Sequence, residues 1–265
     1  MPHLQHDGKN IHYEVHGSGT PLVILNGIMM STVSWSMFLP DLTKNHQVIL
    51  LDFLDQGQSD KLEADYRQDV QVEVLLAVVN HLKLDTFHLL GISYGGEVAL
   101  HFALSHKARL NKLLLFNTTA YTNPWLDDIG KGWIQAAKTK NVELFYNATI
   151  PIIYSPYFYT KNIQWMNDRK SILYDIFTDD FLDGMIRLIK SASSHDVRTS
   201  LSDLSGLETL IVGSDYDFIT PDFEQLSIHE QISSSQMFIL KNCGHASMYE
   251  KPQDFLTLIQ GFLSS

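Results

Sequence analysis

The stretch Phe87-His88-Leu89-Leu90-Gly91-Ile92-Ser93-Tyr94-Gly95-Gly96 decides how the chain reads. Its first half is an apolar β-like run, and residues 94 to about 106 carry a helical pattern, which places Ser93 on a sharp strand-to-helix turn. A serine there sits in strained backbone geometry, and the flanking glycines remove side chains that would collide. Its Oγ then stands clear of the sheet at the positive end of the following helix, with the Tyr94 amide pointing to where an oxyanion would form. The competing reading is a glycine-rich turn with a surface serine. The buried run before and the helix after favour a nucleophile, provided that a base and an acid can be found.

On either side of it, short β-like runs alternate with longer helical patterns, which predicts a largely parallel sheet covered by helices. Strands are expected over residues 11–16, 22–25, 47–53, 87–92, 112–117, 209–213 and 237–241. Helices are expected over 69–82, 94–106 and 252–263. Several strand candidates are solid Val/Ile/Leu runs, as expected for strands buried on both faces. Residues from about 120 to 200 break the alternation with a mostly helical pattern. Of the 61 residues from 121 to 181, 13 are aromatic, against 11% for the whole chain. This stretch either lines an apolar pocket or packs an aromatic core of its own. Trp125, Trp133, Phe145 and Tyr154 are its candidates for contact with substrate.

A base is supplied near the C-terminus by Cys243-Gly244-His245, which follows the apolar run Phe238-Ile239-Leu240. A histidine just beyond a late strand reaches the carboxyl edge of a parallel sheet, where Ser93 also sits, and a neutral imidazole can take the serine proton and return it later. Such a base needs a carboxylate to fix its tautomer. Asp215 and Asp217 both follow the run Leu210-Ile211-Val212. Asp217, four residues before Pro221, is preferred, with Asp215 capping or solvated. The strand ending at Phe116-Asn117 has no carboxylate, which removes one other position for the acid.

These features together resemble the α/β-hydrolase superfamily, and within it the small capped esterase-like members, over nearly the whole chain. The segment from Ile11 through Gly17-Ser18-Gly19 to Val23 is similar to the family's first hairpin. Asp52-Phe53-Leu54-Asp55-Gln56-Gly57-Gln58-Ser59 looks like its D-x-x-G-x-G-x-S loop, and the stretch from Gly213 to Pro221 looks like its acid loop. The order Ser93, Asp217, His245 is also the family's. The resemblance implies residues 1–119 and 201–265 as the core, 120–200 as a helical cap, and the Ile28 amide as a second oxyanion donor beside that of Tyr94. Two departures stand out: Asn26 replaces the usual histidine before Gly27, and Asp55 stands where a glycine is usual. Relatives with an aspartate nucleophile catalyse dehalogenation or epoxide opening. Ser93 implies instead a cofactor-free route through an acyl-enzyme.

The rest of the sequence bounds the reading. With 30 acidic and 19 basic residues the net charge is −11, and without a run of Lys or Arg this argues against nucleic acid as a partner. The apolar content of 45% suits a globular chain, and no run approaches the length of a membrane span. The N-terminal residues lack the pattern of a secretory signal, so a cytoplasmic location is expected, and Cys243, the only cysteine, leaves no intrachain disulfide. His3, His6, His12 and His16 cluster near the start, yet no HExxH or Cys/His spacing suggests a metal, and none is expected. The expected activity is hydrolysis of small or medium carboxylic esters, falling in acid as the base is protonated, by a monomer or homodimer. Lactone, thioester, amide or carbon–carbon cleavage on the same three residues, or a low-turnover binding protein on the same scaffold, remain open.

Overall fold

A computed structural model describes residues 3–264. Its strands are β1 (His3–His6), β2 (Lys9–Gly17), β3 (Thr20–Leu25), β4 (His46–Leu51), β5 (Phe87–Ile92), β6 (Leu110–Phe116), β7 (Thr209–Ser214) and β8 (Ser235–Leu240). Its helices are α1 (Leu39–Leu42), α2 (Asp69–His81), α3 (Tyr94–His106), α4 (Pro124–Lys138), α5 (Val142–Ile153), α6 (Pro156–Lys161), α7 (Ile163–Ile176), α8 (Asp179–Ala192), α9 (Asp222–Gln231), α10 (Ser247–Glu250) and α11 (Pro252–Ser264). The strands form one sheet in the order β1-β2-β4-β3-β5-β6-β7-β8, parallel from β4 onward, with β1 and β2 antiparallel at one edge. This is the α/β-hydrolase architecture, a mostly parallel sheet flanked by helices.

The solid apolar runs are explained by where successive side chains go. Val23, Ile49, Leu89, Leu113 and Ile211 point to one face, where they meet Val74 and Val78 of α2 and Val98 and Phe102 of α3. Their neighbours Leu22, Val48, Leu90, Leu114 and Leu210 point to the other, against Trp35, Phe38 and α11 residues Phe255 and Ile259. Alternation along each strand thus feeds two cores, so both parities must be apolar. The edge strands β1 and β8 are only half-covered and read more weakly.

The N-terminal edge corrects one expectation. Residues 11–23 do not form a hairpin: β2 pairs with β4, which lies between it and β3. The hairpin is instead β1 with β2 through Asp7-Gly8, whose φ values of 49° and 74° are those of a tight two-residue turn. β1 is too short and too polar to show apolar alternation.

Between β6 and β7 the chain inserts α4 to α8. Four of these five helices start on a side-chain cap: Asn123, Asn141, Ser155 and Thr178 each accept from an amide three residues on, at 2.8 to 3.2 Å. Their apolar faces gather Trp133, Phe145, Tyr146, Met166, Phe177 and Leu182 into a separate cluster. Among the polar ties that anchor the insertion to the sheet layer, two use buried carboxylates of the core. Arg187 of α8 grips the Asp55 carboxylate at 2.6 and 3.1 Å, and Glu250 of α10 accepts from the Ser155 backbone and hydroxyl at 2.8 and 2.6 Å. Asp55 has φ 71°, so it keeps the turn of the usual glycine while adding the carboxylate that Arg187 holds. Among the described residues no helix is long and apolar enough to cross a membrane.

Candidate active site

Ser93 lies between β5 and α3 with φ 52° and ψ −120°, a strained conformation for a residue with a side chain. Its surroundings hold it there. The Ser93 amide donates to Phe116 O at 2.9 Å, and its carbonyl accepts from the Gly96 amide and the Thr118 hydroxyl, both at 2.8 Å. The two glycines are needed for close approach: a Cβ on Gly95 would stand 2.5 Å from Leu25 O, and one on Gly91 2.7 Å from the Gly96 Cα. A larger residue at either position would push the α3 N-terminus off the sheet.

The loops after β7 and β8 bring the other two predicted residues to this turn. His245 Nε2 is 2.9 Å from Ser93 Oγ, and its Nδ1 is 2.8 Å from Asp217 Oδ2. Asp217 is fully buried at its carboxylate, while the His245 side chain is 11% exposed. Every other group at Asp217 is a donor: the Ile219 and Thr220 amides reach Oδ1 at 2.8 and 2.9 Å, and Asn117 Nδ2 and Thr220 Oγ1 both reach Oδ2 at 2.9 Å. A carboxylate so surrounded accepts a proton-bearing Nδ1, which leaves Nε2 bare to accept from the serine hydroxyl. Asp215 turns elsewhere, accepting the Cys243 amide at 3.2 Å.

Sequence reading missed the groups that hold the acid. Asn117, at φ 46° just past β6, donates to both Asp217 and Ser214 Oγ, and its carbonyl accepts from Ser247 Oγ at 2.6 Å. The available signal was an asparagine directly after a buried strand, a position that tolerates left-handed backbone. Asn26 also has a clear place. It is buried, donates to Leu51 O at 2.9 Å and accepts from the Trp35 indole at 2.8 Å, so it ties the loop after β3 to the end of β4. The loop shape that the usual histidine would order is therefore secured by other bonds. Gln56 adds to this, donating to Gly27 O at 2.9 Å. Among the described residues, neither the Ile28 nor the Tyr94 amide has an internal acceptor.

Ser93, His245, Ile28 and Tyr94 line a cavity of about 340 Å³ between the sheet edge and the inserted helices. Of the four aromatic candidates, Trp133 and Tyr154 are on its wall. Phe145 is not, because it is fully buried 5.0 Å from the Phe177 ring. Trp125 is not either: it is 56% exposed, and its indole donates outward to Phe218 O. Composition could not separate rings that fill the aromatic core from rings that face the cavity. Among the described residues, one group of metal-type ligands converges, His6, Asp7 and Glu73, and none of the three is on the cavity wall.

A family model for the alpha/beta hydrolase fold matches residues 20–252, and the chain belongs to that family. The solved structure of MGS-M2, an alpha/beta hydrolase enzyme from a Medee basin deep-sea metagenome library, is 44% identical with a TM-score of 0.97, covering 100% of this chain and 98% of that one. The chain is 24% identical to 2-hydroxymuconate semialdehyde hydrolase of Pseudomonas sp. strain CF600, over 94% of this chain and 88% of that protein. It is also 24% identical to 3-oxoadipate enol-lactonase 1 of Acinetobacter baylyi, over 97% and 94% respectively.

Proposed function

We propose that the protein hydrolyses carboxylic esters through an acyl-enzyme, with Ser93 as nucleophile, His245 as base and then acid, and Asp217 orienting His245. The observation that carries this is one hydrogen-bonded line, 2.9 Å from Ser93 Oγ to His245 Nε2 and 2.8 Å from Nδ1 to Asp217, opening on an apolar cavity. As Oγ attacks the ester carbonyl, its proton passes to Nε2, and the negative oxygen is held by the amides of Ile28 and Tyr94. Collapse expels the alcohol, which takes the proton from Nε2. Water then attacks the acyl-serine, giving its proton to Nε2, and the acid leaves as Ser93 recovers its hydrogen.

Residues 120–200 act in this reading as a cap whose Trp133 and Tyr154 help shape the substrate pocket. A second reading is lactone opening, favoured by the similarity to an enol-lactonase; a lactone is an ester closed on itself and needs the same groups. The test is paired. A fluorophosphonate probe should add mass at Ser93 of the wild type and leave Ser93→Ala unlabelled, and that variant should lose nitrophenyl ester hydrolysis. Undiminished hydrolysis by purified Ser93→Ala protein overturns the assignment, and a wild type that neither labels nor turns over esters supports a binding protein.

A further inference from the structure

Charge around the cavity singles out Arg169, a residue of α7 on its wall. The other ionisable groups there have partners or carry no charge. Lys131 meets Asp127 at 2.6 Å and Asp128 at 3.0 Å, and Lys190 meets Asp65 at 2.8 Å. Glu97 is pushed up to about 8 by burial, so it keeps its proton at neutral pH beside Gln68. Among the described residues no carboxylate forms an ion pair with Arg169. Its guanidinium lies 4.1 Å from the centre of the Tyr249 ring and 5.5 Å from that of Trp165, and the polar groups acting on it are the phenols of Tyr154 and Tyr249. A partly buried cation without a counter-charge is costly to keep in an apolar setting. The chain holds 30 acidic residues, so carboxylates are not in short supply.

A second observation points the same way. Buried polar atoms without a hydrogen-bond partner occur on two side chains of this wall, Arg169 Nε and Trp133 Nε1. Both are N–H donors, and Trp133 is 7% exposed. The side chains of this wall therefore carry two N–H donors without a partner and one positive charge without a counter-ion, while most of the wall is apolar. That set suits a singly charged, planar anion on a hydrocarbon chain. A phosphate dianion would find one cation where it needs more.

We propose that Arg169 anchors a carboxylate on the substrate, so that the cavity takes esters or lactones bearing a second, free carboxylate group. The fork of the guanidinium gives a two-point hold on such a group, and the ring of Tyr249 keeps its plane fixed. This inference rests on the hydrolase reading above.

The experiment compares nitrophenyl monoesters of linear dicarboxylic acids, four to eight carbons long, with analogues whose free end is a primary amide. Wild type should favour the carboxylate member by about tenfold or more in kcat/KM at some chain length, and Arg169→Gln should bring that ratio to about one. Arg169→Lys, which keeps the charge and loses the fork, should fall between. A ratio near one in the wild type at every length, or a ratio that survives Arg169→Gln, overturns the proposal while leaving the hydrolase reading intact. Binding separates the two ideas from the other side. Calorimetry on Ser93→Ala should show glutarate or adipate binding that weakens about tenfold in the Ser93→Ala/Arg169→Gln double variant. If no ester is turned over and Ser93 does not label, the hydrolase reading fails, and this binding difference decides the anchor by itself; equal affinity in both proteins overturns it.

Discussion

Replacing Asp217 by asparagine tests the proposed relay most directly, because the surroundings dictate how the new amide must sit. Oδ1 of Asp217 is fixed by two backbone amides, those of Ile219 and Thr220, at 2.8 and 2.9 Å. Neither can turn into an acceptor, so the asparagine carbonyl takes that side and its NH2 takes the place of Oδ2. There it faces His245 Nδ1, the Thr220 hydroxyl and Asn117 Nδ2. Thr220 can rotate its proton away. Asn117 cannot flip freely, because its carbonyl already accepts from Ser247. The imidazole adapts by moving its proton from Nδ1 to Nε2, which aims an N–H at Ser93 Oγ and leaves nothing to receive the serine proton. A loss of about 10⁴-fold in kcat follows, the scale expected when a triad base is held in the wrong tautomer. The unrelieved donor pair at Asn117 costs about 1–3 kcal/mol of stability. Steady-state nitrophenyl ester hydrolysis measures the first quantity, with Ser93→Ala as background, and urea unfolding the second. Asp217→Asn protein that is folded and within tenfold of wild-type kcat would refute the argument.

Three further predictions follow from local features. Ser93→Gly should be more stable than Ser93→Ala by about 1–2 kcal/mol in calorimetry, because both lose the hydroxyl while glycine alone relaxes the φ of 52°; equal melting temperatures would remove the case for strain at the turn. Arg187→Met leaves the Asp55 carboxylate, fully buried, without its guanidinium, and should lower unfolding free energy by about 3–5 kcal/mol. The Asp55→Gly/Arg187→Met double variant should recover most of that in urea titrations, and a double variant as weak as the single would disprove the pairing. Burial lifts the Glu97 carboxyl from 4.5 to about 8, so between these values the unfolded state has lost a proton that the native state keeps. Glu97 therefore costs stability progressively as pH rises from 4.5 to about 8, and Glu97→Gln should gain on wild type across that window in paired melting curves. A difference between the two that stays flat with pH would show that Glu97 is ionised in the fold.

Features that a short segment can encode were legible from the residues alone. The elbow at Ser93 needs two glycines and a strand before a helix, all within ten residues, and the two-sided burial of β3, β5, β6 and β7 is written in their uninterrupted apolar runs. The order of Ser93, Asp217 and His245, each just past a strand, was legible for the same reason: the carboxyl ends of parallel strands share one edge. Features that depend on neighbours far apart along the chain emerged only with the folded structure. It set β4 between β2 and β3, and gave Asn117 to Asp217 across 100 residues. It also turned Phe145 into the aromatic core and put Trp133 on the cavity wall, though composition treats the two alike. Arg169 shows the difference most plainly. Nothing in the residues beside it marks it, and its meaning comes from a low-dielectric wall, assembled from several helices, that gives its charge no opposite partner.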